Sequence, residues 1–233
     1  MRLTALTLET VTESPTDAVE FVFLPKRPLP FRPGQAGLVI VPDGGVKPFT
    51  FACDNRAGRI SIATTLRSGS RFKRALASLR ADDRLHVAGA IGTLPSLDPA
   101  ESQVFVAQGI GITPFLAIAR SHDSVNATLL QVGTPHFFGE VAAAARSGAE
   151  HHDHREELQE AVSRTIADRP AARWFLSGRT AFVATVATQL AGAGVPARMI
   201  HKAKFWGMRD TASATTSTTP DRAASTQQRS KRT

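Results

Sequence analysis

The hydrophobic rhythm of this chain changes near residue 100, and the change implies two architectures in one polypeptide. In the first half Val19, Phe21 and Phe23 alternate around Glu20, the period of a half-buried strand. Further strand-like runs follow at residues 37–41, 48–52, 59–64 and 85–88, separated by Pro, Gly and Asp turns such as Pro42-Asp43-Gly44-Gly45. A single helix interrupts them, where Phe72, Leu76 and Leu79 keep helical spacing. Short strands joined by turns predict a small antiparallel barrel. In the second half an apolar strand at 104–107 meets a Gly-rich turn and a helix at 114–119. A strand at 127–132, helices at 140–146 and 156–166, a strand at 172–176, a helix carrying Val183, Val186, Ala187 and Leu190, and a strand at 197–200 complete the pattern. Strands alternating with helices predict a doubly wound parallel sheet.

Composition narrows the chemistry. Cys53 is the only cysteine, so an internal disulfide and a cysteine-ligated iron–sulfur cluster within this chain are both ruled out. No apolar run approaches the roughly 20 residues of a membrane span. The amino terminus shows no secretory apolar core, and a cytoplasmic protein is expected. The net charge is +8, but residues 209–233 hold five basic and two acidic side chains. Rich in Ser, Thr and Ala, that segment cannot bury enough surface to offset its ordering entropy and is expected to be a disordered basic tail. The remaining charge suits phosphorylated ligands or acidic partners, and equally a plain solvated surface. No basic helix interleaved with aromatics points to nucleic acid.

The sharpest local signal is Gly109-Ile110-Gly111-Ile112-Thr113-Pro114, directly after a strand. Paired glycines let a backbone approach a bulky anion, and Gly111 is expected at positive φ. Thr113 is placed to cap the new helix and Pro114 to open it, so the helix end offers free N–H groups to a pyrophosphate. A tight turn with no ligand is the competing reading, and Pro114 stands where the usual dinucleotide fingerprint has its third glycine. The strand end about 20 residues on carries no acidic ribose anchor. His136 and Arg146 are candidates for a 2′-phosphate, a slight lean to NADPH over NADH. His151-His152-Asp153-His154 invites a metal reading, but consecutive residues point apart, and a polar strand-to-helix connection is expected.

Four further motifs precede that turn in order: Phe31-Arg32-Pro33-Gly34-Gln35, Lys47-Pro48-Phe49-Thr50-Phe51-Ala52, Ser70-Arg71-Phe72-Lys73 and Gly89-Ala90-Ile91-Gly92. Leu176-Ser177-Gly178 and Phe205-Trp206-Gly207 follow it. Over residues 3–208 this order resembles the ferredoxin–NADP reductase superfamily. The resemblance implies an antiparallel Greek-key β-barrel binding FAD (residues 1–98), then an NAD(P)-binding α/β doubly wound domain (99–208). It implies a cofactor set of FAD with NADPH or NADH as co-substrate. Lys47, Pro48, Phe49, Thr50, Ser70, Arg71, Phe72 and Lys73 would hold the flavin, with Phe49 against the ring and Thr50 near its N5. Gly109, Gly111, Thr113, Pro114 and Gly178 would hold the nucleotide. Thr50 and Phe205 would be the residues at the reacting centre. Lys47 stands where the family usually has Arg, Ser177 where it has Cys, Arg179 where Pro is common, and Lys204 where many relatives have an acid. The implied activity is hydride transfer from NAD(P)H to FAD and electron delivery to a separate partner such as ferredoxin or flavodoxin. The departures keep two alternatives in view: a flavin-binding subunit or redox sensor without turnover, and a reductase using FAD as a loosely held substrate.

Overall fold

The computed structural model describes residues 3–54, 58–92, 97–98 and 100–203. Phe205 and the tail from 209 onward lie outside the described residues.

Six strands form the first sheet: β1 (Leu3–Glu13), β2 (Ala18–Pro25), β3 (Ala36–Val41), β4 (Gly45–Thr50), β5 (Ile60–Thr65) and β6 (Arg84–Ile91). They pair antiparallel in the order β4-β3-β6-β1-β2-β5, and a bridge between Phe51 and Ile62 nearly closes the two ends into a barrel. One face of each strand is apolar. Leu6, Leu8, Phe21, Phe23, Val39, Phe51, Ile62 and Val87 therefore fill the interior, and Phe72 and Leu76 of helix α1 (Arg71–Ala77) seal it. Strand β4 begins earlier than the sequence suggests, because Gly45 at φ +92° turns the hairpin from β3. Pro48 is tolerated within β4 because this strand ends the sheet order.

The second sheet is parallel, with strands β7 (Gln103–Gln108), β8 (Ala127–Val132), β9 (Ala149–His152), β10 (Arg173–Ser177) and β11 (Ile200–Ala203) in the order β11-β10-β7-β8-β9. Alternate residues of each strand face opposite layers. Val104, Val106, Trp174 and Leu176 pack with Leu158 and Val162 of α4 (Arg155–Asp168) and with Phe182 and Val186 of α5 (Thr180–Gly192). Phe105, Leu129 and Phe175 pack with Phe115 and Ile118 of α2 (Thr113–Ser121) and with Val141 of α3 (Phe138–Ala144). Fold class is thus as the sequence implies, a nearly closed antiparallel barrel followed by a doubly wound parallel sheet.

Two more elements differ from expectation. Residues 149–152, of which His151 and His152 are expected in a polar connection, form edge strand β9; Ala-Glu-His-His has little strand propensity and is held by its register on β8. The last strand begins at Ile200 instead of 197, because Met199 N–H closes a 3₁₀ turn on the Pro196 carbonyl at 2.8 Å. Among the described residues no helix is long and apolar enough to cross a membrane.

Candidate functional site

On the barrel, β4 and α1 bring together most of the residues expected at a flavin. The Phe49 ring stacks on Phe72 with centroids 5.3 Å apart and planes 21° apart, and Lys47 Nζ lies 5.8 Å from the centre of the same Phe72 ring. Phe72 itself is core, so of the two rings Phe49 is the one with surface left to offer. Ser70 caps α1 by accepting from the Lys73 N–H at 3.4 Å. Lys73 sits half-buried, and its ammonium donates to the Thr65 carbonyl. Burial and then the neighbouring Lys47 push the Lys73 pKa down. Two ammonium groups that repel one another, with no carboxylate holding either among the described residues, make a site suited to an anion. Arg71 turns away, donating to the Asp43 carbonyl at 2.5 Å across the β3–β4 turn. Thr50 ends β4 and is buried.

The glycine turn occupies the crevice where the strand order reverses, between β7 and β10. Its glycines divide the work differently from expectation. Gly109, not Gly111, takes positive φ (+50°). Gly111 is required by space: a Cβ there would lie 2.8 Å from the Ser177 carbonyl oxygen, 2.9 Å from Gly178 Cα and 3.0 Å from Gly178 N. A Cβ on Gly178 would in turn meet Gln108 Cβ and Phe182 Cδ1, each at 2.8 Å. The two strand-end turns are therefore in backbone contact. The fully buried Ser177 hydroxyl locks them by donating to the Gly111 carbonyl. Thr113 does not cap α2. Gly109–Ile112 forms a 3₁₀ turn running straight into the helix, so the cap position falls on Ile112 and Thr113 is a buried helical residue. Pro114 lies in the first turn, as expected.

Of the two residues weighed for a 2′-phosphate, Arg146 lies far from the glycine turn, whereas His136 lies beside it, its Cδ2 3.9 Å from where a Cβ on Gly109 would stand. Arg146 is exposed, but its N–H binds the Val125 carbonyl beside the start of β8. The glycine turn is at the opposite end of the parallel strands, about 20 Å away along a six-residue strand. His136 is buried, and its Nδ1 lies 3.0 Å from Thr16 Oγ1 of the barrel. His151 Nε2 meets the Gly133 carbonyl at 2.5 Å, and His152 Nε2 lies 3.5 Å from Glu150; both imidazoles serve the β9 edge. Cys53 is half-buried, its Sγ accepting from Ser61 N–H at 3.1 Å, and burial pushes its thiol pKa up, away from the reactive thiolate.

Two further side chains, outside the motifs above, position these elements. Buried Gln131 donates to the carbonyls of Gly109, His136 and Thr134 at 3.1, 3.2 and 3.4 Å, tying the loops after β7 and β8 together. A lone amide inside the apolar run of β8 was the available signal. Arg120 of α2 reaches Glu20 on β2 and the Ala52 carbonyl, contacts made across about 100 and 68 residues that no local pattern announces. Around these bonds Ala52 and Ala63 of the barrel share one apolar cluster with Ile112, Phe115 and Phe105.

Burial and the charge of Arg67 lower the His136 pKa. The folded chain thus favours neutral imidazole, and the unfolded chain takes up the proton first as pH falls through about 6.5. Stability contributed by His136 is whole above that pH and declines below it. His201, lowered by burial and by Arg173, adds to the same acid limb. The thermal midpoint should therefore drop between pH 7.5 and 5.5, and His136→Asn should make that drop shallower. An unchanged slope in the variant would remove His136 from this account.

No family model and no curated protein matches the sequence. Among solved structures, the chain superposes on the Amycolatopsis cytochrome P450 reductase GcoB with a TM-score of 0.71 at 20% identity, covering 88% of this chain and 70% of that one. A ferredoxin NADP+ reductase from Neisseria gonorrhoeae with bound FAD and NADP gives 0.70 at 14% identity, covering 88% and 100%. Phthalate dioxygenase reductase gives 0.70 at 24% identity, covering 86% and 67%. The chain spans 65% and 60% of two other matched structures, a carbazole dioxygenase ferredoxin reductase and a Malassezia flavohemoglobin. The fold is that of the ferredoxin–NADP reductases. Within this reductase fold the corner at Lys47, Phe49 and Lys73 belongs to the barrel, and the paired turns at Gly111 and Gly178 belong to the parallel sheet.

Proposed function

We propose that this chain is an NAD(P)H-dependent FAD flavoprotein reductase, with residues 1–98 as the flavin-binding unit and 99–208 as the nucleotide-binding unit. One juxtaposition carries the reading: Ala52, two residues beyond Thr50 where the flavin strand continues, shares one apolar cluster with Ile112 of the glycine turn. The flavin strand and the nucleotide turn therefore meet at one seam, as a reaction between two bound rings requires.

The residues fit the groups they would hold. The ammoniums of Lys47 and Lys73 would offset the FAD pyrophosphate as point charges, with Ser70 beside them at the start of α1, while Arg71 stays engaged with the Asp43 carbonyl. Phe49 offers a flat face backed by Phe72. The Thr50 hydroxyl, at the strand end, could donate or accept beside the ring, and Phe205, outside the described residues, is proposed with it for the reacting centre. Gly109, with nearly open space where a side chain would stand, would let a dinucleotide approach the backbone at the opening of α2, and Gly111 lets the Ser177–Gly178 turn close in beside it. When bound, FAD would supply the redox chemistry, accepting a hydride from the reduced nicotinamide and releasing electrons singly or in pairs. The protein's share is to position and to exclude water, and no side-chain acid or base is needed for the hydride. The electrons would go to a separate acceptor, such as a ferredoxin or a flavodoxin. A cytoplasmic setting, where NAD(P)H is available, belongs to the same reading.

The test is the absorption spectrum of the purified protein, recorded anaerobically before and after NADPH or NADH. Flavin bands that survive desalting and bleach on a catalytic timescale support the reductase. Bands that neither nucleotide bleaches overturn it in favour of a flavin subunit without turnover, and colour lost on desalting makes FAD a substrate.

A further inference from the structure

We infer that Arg120 is a positioning residue that sets the separation of the flavin strand and the nucleotide turn, an inference resting on the reductase reading above. All five N–H donors of its guanidinium are engaged. Nε donates to Glu140 Oε1 at 2.7 Å, and Nη2 to Glu140 Oε2 at 3.2 Å and Glu20 Oε2 at 3.1 Å. Nη1 donates to Glu20 Oε1 at 2.5 Å and to the Ala52 carbonyl at 2.8 Å. The partners lie on three pieces of structure: β2, the segment leaving β4, and α3.

What these bonds connect matters more than their number. Arg120 stands in the last turn of α2, the helix whose first turn follows the nucleotide glycines. A helix is stiff, so the eight residues from Thr113 to Arg120 act as a rod of about 10 Å. The other end of the ruler is the Ala52 peptide, two residues past Thr50. Its N–H is held by the Ser61 carbonyl at 2.8 Å and its C=O by Arg120, so it is fixed on both sides. The Glu20 side chain is only 14% exposed and that of Arg120 25%, so water screens the pair little. The two carboxylates and the five hydrogen bonds hold the Arg120 guanidinium in its protonated form, outweighing the cost of burial. Lysine could match the charge but has three donors and no planar fork, and it cannot bridge both carboxylates and the carbonyl in this geometry. Glu140 lies on the same side of the seam as Arg120 and only steadies it.

The decisive comparison is Arg120→Lys against wild type and Glu140→Gln, all loaded with FAD. Anaerobic stopped flow would read the flavin reduction rate and nucleotide affinity separately. Hydrogen exchange of the cofactor-free proteins would read protection of peptides spanning 50–54 and 109–121. In Arg120→Lys we expect FAD retained, nucleotide affinity little changed, faster exchange in both segments, and a reduction rate lower by about 100-fold. Glu140→Gln should change the rate by no more than about 2-fold. A wild-type rate in Arg120→Lys, or a loss explained by lost FAD, overturns the positioning role, as does unchanged exchange. Glu20→Gln, which keeps the shape and weakens the bridge, gives the same readouts where Arg120→Lys folds poorly, with a smaller loss of rate expected. If neither nucleotide reduces wild-type flavin, the reductase reading fails, while the exchange comparison still decides whether Arg120 joins the two segments.

Discussion

Gly111→Ala is expected to destabilise the chain severely and to abolish flavin bleaching by either nucleotide. The added methyl would fall 2.8–3.0 Å from three atoms of the next turn, all of them backbone and none at the end of a flexible side chain. Overpacking of this kind costs about 1–3 kcal/mol. Pushing the Gly111 carbonyl away would also strand the buried Ser177 hydroxyl that donates to it, for about 1–3 kcal/mol more. The sum is a large share of the roughly 5–15 kcal/mol that holds a domain together. Gly109→Ala supplies the contrast. Its Cβ would have only His136 Cδ2 within 4 Å, at 3.9 Å, so the cost is the left-handed backbone alone, about 1–2 kcal/mol. Urea denaturation of the two variants measures the difference. Equal midpoints would show that the β7 and β10 turns are not in contact.

Replacing both barrel ammoniums, Lys47→Met with Lys73→Met, should weaken FAD binding by about 100-fold or more, since each charge-assisted bond to phosphate is worth about 1.5–3 kcal/mol. The fold should tolerate the change: Lys73 is held in the free protein at the expense of burial and of repulsion from Lys47, and removing both relieves the two penalties together. The lost bond to the Thr65 carbonyl falls at a strand end that water can reach. Titrating apoprotein with FAD at low and high salt is the measurement. Wild-type affinity should fall with salt and the double variant's should not. Equal affinities in the two proteins would move the pyrophosphate away from this corner.

The sequence carried the architecture because both halves write their period openly. Val19, Phe21 and Phe23 face the barrel interior, and the apolar stretch of β8 begins and ends where its composition says. Strand β9 was hidden because four residues of Ala, Glu and His have no period to detect, and only β8 beside them makes a strand. At the site, residue types were legible while their duties were not. The pair Gly109 and Gly111 marks a turn, but which glycine answers to φ and which to crowding depends on Ser177 and Gly178, some 66 residues away. Thr113 carries suitable chemistry for a cap, and tertiary packing spends it elsewhere. Arg120 was silent for the same reason, since its partners are brought to it by the fold.

The alanines at the seam have a consequence for how this molecule accommodates change. Ala52 and Ala63 present a methyl each to the opposite domain, too short to key into a groove and fix a register. A surface of that kind permits sliding, so alignment of the halves is delegated to a few directional bonds, those of Arg120 and of His136 with Thr16. The angle between the two domains should thus be adjustable by exchanging one polar residue, with neither core needing to be repacked.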